Sequence, residues 1–327
     1  MREIHWAVLG TGVIANEMAT ALEKNGKKLY AVGNRTYEKA VKFGEKYGIK
    51  KVFTDFNEMF TDPEVDVIYI TTPHNTHIQF MKKAIENGKH ILVEKSITLN
   101  SEELDEALEL AKEKGVIVAE AMTIFHMPVY KELKKILESG KLGKVNLITM
   151  NFGSFKEYNM ENRFFNRNLA GGAMLDIGVY AIGFACMMMG YAFDDVRSEL
   201  VMNSAGTDEL DAITLRKGKT IAQLTTAIGV NMPTFAAVYG TKGHIDIPEF
   251  KNPTRAVLRL DGQEPVELAH PFEINGFEYE IREAQACAEA GRLQSERMTG
   301  QQTIAVMRIM DEIRRQNGFR FPFERKE

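Results

Sequence analysis

Three groups of residues in this 327-residue chain have the types and spacing that chemistry requires. Asp176 and Tyr180 stand four apart in Gly171-Gly172-Ala173-Met174-Leu175-Asp176-Ile177-Gly178-Val179-Tyr180. On a helix that spacing puts both on one face, offering a carboxylate beside a phenol that can give or take a proton. The alternative is a capped helix with a buried tyrosine. Glu94-Lys95-Ser96 ends the apolar run HILVE. A charged pair closing such a strand is costly to bury without a partner, and a lysine there can reach a hydroxyl or carbonyl oxygen. Gly10-Thr11-Gly12-Val13-Ile14-Ala15 fits GxGxxA. In that motif the first glycine makes a tight turn, the second admits a pyrophosphate and the small last residue permits close helix–strand packing. A tight turn that binds nothing is the competing reading.

The elements around these residues decide between the readings. The glycine motif follows the apolar run Ile4–Leu9 and opens the helical pattern Val13–Lys24, the context that dinucleotide binding needs. Strand and helix patterns then alternate to about residue 122, with strands expected at 28–33, 52–53, 65–71, 90–94 and 116–120. Such alternation implies a parallel sheet covered on both faces. The second strand ends Gly33-Asn34-Arg35-Thr36, with no carboxylate to hold ribose hydroxyls. Arg35 can pair with a 2′-phosphate and Thr36 can add a hydrogen bond, which favours NADP over NAD. Arg35 as a solvated loop residue is the plainer possibility. Beyond 123, strand-like runs such as 210–215, 220–227, 236–239 and 256–260 lie between turn signals, and helices are expected at 279–289 and 300–316. The expected fold is α/β: an N-terminal Rossmann parallel sheet over 1–122 and a C-terminal α+β domain over 123–327 with a large, mainly antiparallel open sheet.

Composition narrows the classes. Charged residues make up 26% and the net charge is −4, with no long basic block, so neither nucleic acid nor an anionic membrane is an expected partner. The uncharged run Ile177–Phe193 reads as a buried helix. Cys186 and Cys287 form no CxxC pair, and the first residues carry no signal-peptide core, so a cytoplasmic setting is expected. His74 and His77, with His126 and Glu120, could be imagined around a metal. No metal is expected.

Together, TTPHNTH (Thr71–His77), VEKS (Val93–Ser96) and GGAMLDIGVY (Gly171–Tyr180) resemble the Gfo/Idh/MocA oxidoreductase family. Asn275–Glu280 and the tail around Met310–Arg314 extend the resemblance over nearly the whole chain. Asp176 with Tyr180 resembles the branch of dimeric dihydrodiol and NADP-dependent xylose dehydrogenases, which also tends to carry an arginine where Arg35 stands. The resemblance implies hydride transfer between nicotinamide and a sugar, diol or related small molecule. It gives Tyr180 the role of acid and base, Lys95 that of assisting the reacting oxygen, and Asp176 that of orienting Lys95 or a substrate hydroxyl. Thr71, Pro73, Asn75 and His77 would line the cofactor and Glu94 would hold its ribose. Arg163 would reach substrate, unless it forms a surface ion pair. The open sheet would support a homodimer or homotetramer. Ser96 replaces the proline usual after the lysine, which leaves the turn there less defined. A glycosidase that retains NAD(P), or a non-catalytic NADP sensor, are the competing functions on such a fold.

Overall fold

Short apolar strands separated by helices cannot close hairpins, so successive strands pair in parallel through helical crossovers. In the computed structural model, which describes residues 3–324, these are β1 (Trp6–Leu9), β2 (Leu29–Gly33), β3 (Lys51–Phe53), β4 (Val67–Ile70), β5 (His90–Glu94) and β6 (Val118–Ala121). They form one sheet in the order β3-β2-β1-β4-β5-β6, parallel throughout. That order is the dinucleotide-binding one. Every residue of β1 and β4 is buried, as strands covered on both faces must be.

The connecting helices are α1 (Val13–Lys24), α2 (Tyr37–Tyr47), α3 (Phe56–Thr61), α4 (His77–Glu86) and α5 (Ser101–Lys114). Asn100 starts α5, its side chain accepting the Glu103 N–H at 2.9 Å. Gly115 ends it in the left-handed region. The Val116 N–H then bonds back to the Ala111 carbonyl at 3.0 Å. That bond ties Val116 to the helix end, so the strand expected from 116 begins at Val118.

The chain divides into two compact units, Met1–Met122 with Glu273–Ile304 and Thr123–Phe272 with Ala305–Glu327. The outermost residues of both expected domains, 1–2 and 325–327, lie outside the described ones. The sequence division assigned 273–304 to the second domain, whereas this segment packs with the first. Its helix α8 (Glu278–Ala290) adds Ile281 and Ala284 to the core that holds Trp6, Met18 and Leu22. Asn275 Nδ2 also donates to the Glu17 carbonyl at 3.1 Å. The amphipathic pattern of α8 marks a helix without saying which core its apolar face joins.

The second unit contains α6 (Pro128–Glu138), α7 (Val179–Met189) and strands β7 (Val145–Gly153), β8 (Asp195–Met202), β9 (Asp208–Lys217), β10 (Thr220–Ala227), β11 (Phe235–Gly240), β12 (Gly243–Pro248), β13 (Arg255–Leu260) and β14 (Val266–Ala269). The sheet order is β14-β13-β12-β11-β7-β10-β9-β8. All neighbours are antiparallel except β7 and β10. The final helix, α9, spans Gly300–Gln316. The stretch Arg167–Met189 is long and apolar enough to cross a membrane, yet most of it is buried inside the fold, as in a core helix. Phe184 of α7 is fully buried between the rings of Tyr130 and Phe250. Phe184→Ala is therefore expected to cost about 3–5 kcal/mol of unfolding free energy in urea titration. A loss below about 1 kcal/mol would place that ring outside the core.

Candidate active site

Strand register builds one edge of the site. Gly33, Leu9, Ile70, Val93 and Glu120 are successive Cα partners across β2, β1, β4, β5 and β6. The residues that follow, Asn34, Gly10, Thr71 and Glu94, are thus brought side by side at the carboxyl edge of the sheet, where open parallel sheets bind ligands. Gly10 has φ +114°, and a Cβ there would lie 2.3 Å from Thr71 Oγ1. Only glycine satisfies both the conformation and the space. Its N–H donates to the Gly33 carbonyl at 2.8 Å, and the Thr71 N–H donates to that of Leu9 at 2.9 Å.

Gly12 differs. It is exposed, its φ of −73° is ordinary, and a Cβ there would meet no protein atom within 4 Å. Nothing inside the protein calls for glycine at this position, so what it leaves open is room outside. Gly12 precedes α1, which has no side-chain cap and no acidic residue in its first turn. Thr11 and Ile14 are half-buried, and Val13 is 77% exposed. Helix-start amides without capping partners, together with the helix dipole, suit a phosphate. At the β2 edge, Asn34 Nδ2 donates to the Thr36 carbonyl at 3.0 Å, and Arg35 and Thr36 are exposed. These residues fit a dinucleotide at this edge, with basic rather than acidic character at the ribose end.

The Lys95 turn is held from behind. The Tyr69 hydroxyl donates to Glu94 Oε1. His74 Nε2 lies 3.1 Å from the Lys95 carbonyl. The Lys95–Ser96 peptide is cis, and Ser96 is fully buried. His77, expected on the nicotinamide side, is instead fully buried. Its Nδ1 faces the Ser96 carbonyl at 3.0 Å and its Nε2 the Thr72 carbonyl at 2.7 Å. Burial pushes this imidazole down to about 4, so at neutral pH it carries one N–H and donates one of the two bonds. It braces the turn rather than lining the cofactor. Pro73 is exposed and Asn75 half-buried. Among the described residues no three His, Cys, Asp or Glu side chains gather as a metal site.

Glu120 was not anticipated in this role. It is buried on β6, and its Oε1 accepts the Ile97 N–H at 2.9 Å. Burial pushes its carboxyl up to about 7, with neighbouring Glu94 adding to the rise and the Ile97 bond and Lys95 opposing it. A glutamate closing a strand pattern was the available signal, and register against Val93 turns it towards the lysine turn.

In the second unit, Gly171 and Gly172 lie close against other backbone and side chains. A Cβ on Gly171 would lie 2.5 Å from the Arg163 carbonyl, and one on Gly172, at φ +129°, would lie 2.1 Å from Asp208 Oδ1. Met174–Gly178 then forms a π-helical turn leading into α7, in place of the regular helix expected. Asp176 and Tyr180 are both buried. Arg163 pairs with Asp176 at 3.4 Å and lies 4.1 Å above the Phe164 ring. The expected substrate contact is thus an ion pair with the carboxylate meant to serve the reaction. Lys251 Nζ lies 5.3 Å from the centre of the Tyr180 ring. No motif around this lysine marks it in the sequence.

Glu120 gives this arrangement a measurable consequence. A carboxyl whose folded value is raised favours the protonated fold, so its stabilising contribution is present at acid pH and is lost as pH rises towards about 7. Glu120→Gln cannot ionise. The stability of this variant relative to wild type should therefore climb from about pH 4, the unfolded value, and level off above neutrality. A flat difference in pH-dependent melts would place Glu120 in water.

Comparison with known proteins agrees with this construction. Residues 4–122 match the family model described as "Oxidoreductase family, NAD-binding Rossmann fold", and residues 130–246 match "GFO/IDH/MocA C-terminal domain". The chain is 31% identical over 328 residues to trans-1,2-dihydrobenzene-1,2-diol dehydrogenase of Xenopus laevis, covering 97% of this chain and 99% of that one. It is 29% identical to the NADP-dependent scyllo-inositol 2-dehydrogenase of Bacillus subtilis (strain 168), covering 98% of each. The fold matches that of a 3-ketoreductase from Actinomadura kijaniata in complex with NADP, with a TM-score of 0.87 and 21% identity over 96% of this chain and 98% of that one. With sequence, sheet order and edge chemistry in agreement, the chain belongs to the GFO/IDH/MocA family of oxidoreductases.

Proposed function

We propose that this protein is an NADP-dependent dehydrogenase or reductase that moves a hydride between nicotinamide and a CH–OH carbon of a sugar, diol or related polyhydroxylated small molecule. The observation that carries this reading is the open glycine at the start of α1, where the protein itself has no need of one. The names of the relatives, acting on a dihydrodiol and an inositol, support the substrate class. Exposed Arg35, with no carboxylate between Gly33 and Tyr37, supports NADP over NAD. When bound, the dinucleotide supplies the hydride donor or acceptor.

The chain's own residues do the rest. In this reading Gly10, Thr11, Gly12, Val13 and Ile14 meet the pyrophosphate, Asn34, Arg35 and Thr36 the adenosine end, and Thr71, Pro73, Asn75 and Glu94 the nicotinamide riboside. Lys95 hydrogen-bonds the reacting oxygen. Tyr180 gives that oxygen a proton in reduction and takes it back in oxidation. Lys251 Nζ stands 5.3 Å from the centre of that ring. Asp176, held by Arg163, accepts from a substrate hydroxyl. The reading includes a cytoplasmic setting and a homodimer or homotetramer formed through the large sheet, on which Val201 and Ile221 are exposed.

The test is to titrate the purified protein with NADP⁺ and NAD⁺, then follow nicotinamide absorbance with aldoses, polyols and trans-dihydrodiols. NADP⁺ should bind more tightly and a member of these classes should turn over. Lys95→Ala and Tyr180→Phe should each lose about 10²–10⁴ in kcat while binding cofactor normally. Cofactor binding with no turnover of any of these compounds, and cleavage of glycosides without net redox change, would replace this reading with a glycosidase.

A further inference from the structure

The small residues before Asp176 are explained by what lies behind them. In a regular strand Asp208 and Asp211, three apart, would point to opposite faces. The β8–β9 ladder is irregular here: Val201 pairs with Leu210, and Met202 with Asp208. The extra residue, Glu209, forms a bulge that resets the alternation. Both aspartates therefore face inward, 1% and 0% exposed.

Each carboxyl has one oxygen engaged. Asp208 Oδ2 accepts the N–H of Met174, the first residue of the π-helical turn, at 2.5 Å. Asp211 Oδ2 accepts the Thr226 hydroxyl at 2.7 Å and would lie 3.6 Å from a Cβ on Gly178, the last residue of that turn. The other oxygen of each, Oδ1, is buried without a further donor. Each carboxyl acts on the other, by its charge and as a side-chain hydrogen-bond partner. Asp208 thus bonds the first residue of the turn that carries Asp176 and leads into Tyr180, and Asp211 faces the last.

We propose that Asp208 and Asp211 hold one proton between their Oδ1 atoms, and that this acid pair is the positioning device for the Asp176–Tyr180 turn. Two carboxylates in contact in a dry site cannot both ionise, whereas one acid donating to one carboxylate satisfies both free oxygens. The Met174 amide bonded to Asp208 Oδ2 favours the charge on Asp208 and hence the proton on Asp211. Burial and then the charge of Asp208 push Asp211 well upward, while Asp208, also raised by burial, is pulled back by the Met174 N–H and by Arg314. The charged groups on the surrounding elements are already paired: Arg314 of α9 with Asp311 and Glu324, and Asp176 with Arg163. Thr226 on β10 is uncharged. Gly172 is then glycine because Asp208 Oδ1 fills the space of its Cβ.

The functional part of this inference rests on the reading that Asp176 and Tyr180 serve hydride transfer; the shared proton does not. The full-length protein, Asp211→Asn and Asp211→Ala would be compared. Infrared spectra taken well above the Glu120 titration, at about pH 9, should show a protonated-carboxyl stretch in the wild type that Asp211→Asn removes. The stability of Asp211→Asn relative to wild type should rise steadily with pH from about 4. Asp211→Ala should lose about 10²-fold in kcat with cofactor affinity unchanged, and Asp211→Asn, which keeps a donor facing Asp208, should recover most of it. Absence of the carboxyl band, as when a cation bridges two carboxylates, or a stability difference flat with pH, overturns the shared proton. A folded Asp211→Ala with wild-type kcat overturns the positioning role. If Asp211→Ala fails to fold, the infrared and melting results on Asp211→Asn still decide the first point, and Asp211→Ser, polar but too short to bond Asp208, decides the second: a kcat lowered at unchanged KM supports the positioning role and a wild-type kcat overturns it. A wild type that turns over no sugar or diol sinks the functional reading and leaves the proton test standing.

Discussion

The register of the parallel sheet is the constraint on which the candidate nucleotide-binding edge depends. Because Gly33, Leu9, Ile70, Val93 and Glu120 stand in one row, the next residue of each strand reaches the same edge. A slip of one residue in any pair would send its side chains to the opposite covered face and move an edge residue off the row. Gly10 bends away beside Thr71, and that contact forbids a side chain on Gly10. Packing and chemistry are therefore one requirement at this edge, satisfied by strands that are apolar on both faces.

Behind the Lys95 turn and the Asp176 turn lie buried titratable groups bonded to main chain. His77 braces the Lys95 turn as a neutral ring between two carbonyls. Glu120 supports the same turn through the Ile97 amide and holds its proton towards neutrality. Asp208 anchors the Asp176 turn through the Met174 amide. In each case a side chain bonds a main-chain group that has left regular secondary structure, which is where buried backbone needs outside partners. Full ionisation of such groups would carry a large desolvation cost, so low polarity and main-chain bonding work together to fix the two turns.

Much of this was legible in the sequence, for physical reasons that differ by residue. Alternating apolar runs and helix caps reveal the sheet, because burial on both faces leaves a compositional trace in VDVIYI and HILVE. GxGxxA is legible because steric demands at a turn admit few residue types. Asp176, Tyr180 and Lys95 are picked out by pattern and resemblance. The partners are not. That Arg163 pairs with Asp176, or that Lys251 approaches Tyr180, depends on loop paths with no periodicity. The bulge that turns Asp208 and Asp211 to one face hides them, since period-two reading puts them on opposite sides. The placement of α8 on the first unit is likewise a matter of which core its apolar stripe completes. His77 was misplaced for a related reason: a histidine in a loop motif reads as available, and only the fold shows it buried with a main-chain carbonyl facing each nitrogen.

The central claim is that Tyr180 moves the proton that accompanies hydride transfer. It is tested most directly by single-turnover rates with bound NADP⁺ and a polyol substrate, measured across pH for wild type and Tyr180→Phe, using substrate deuterated at the reacting carbon. The account predicts a wild-type rate that rises with pH, with an isotope effect showing that hydride transfer is being observed. Tyr180→Phe should be slow at every pH and lack that rise, with cofactor binding unchanged. Equal rates with the same pH dependence in both proteins would contradict it and assign the proton to another group.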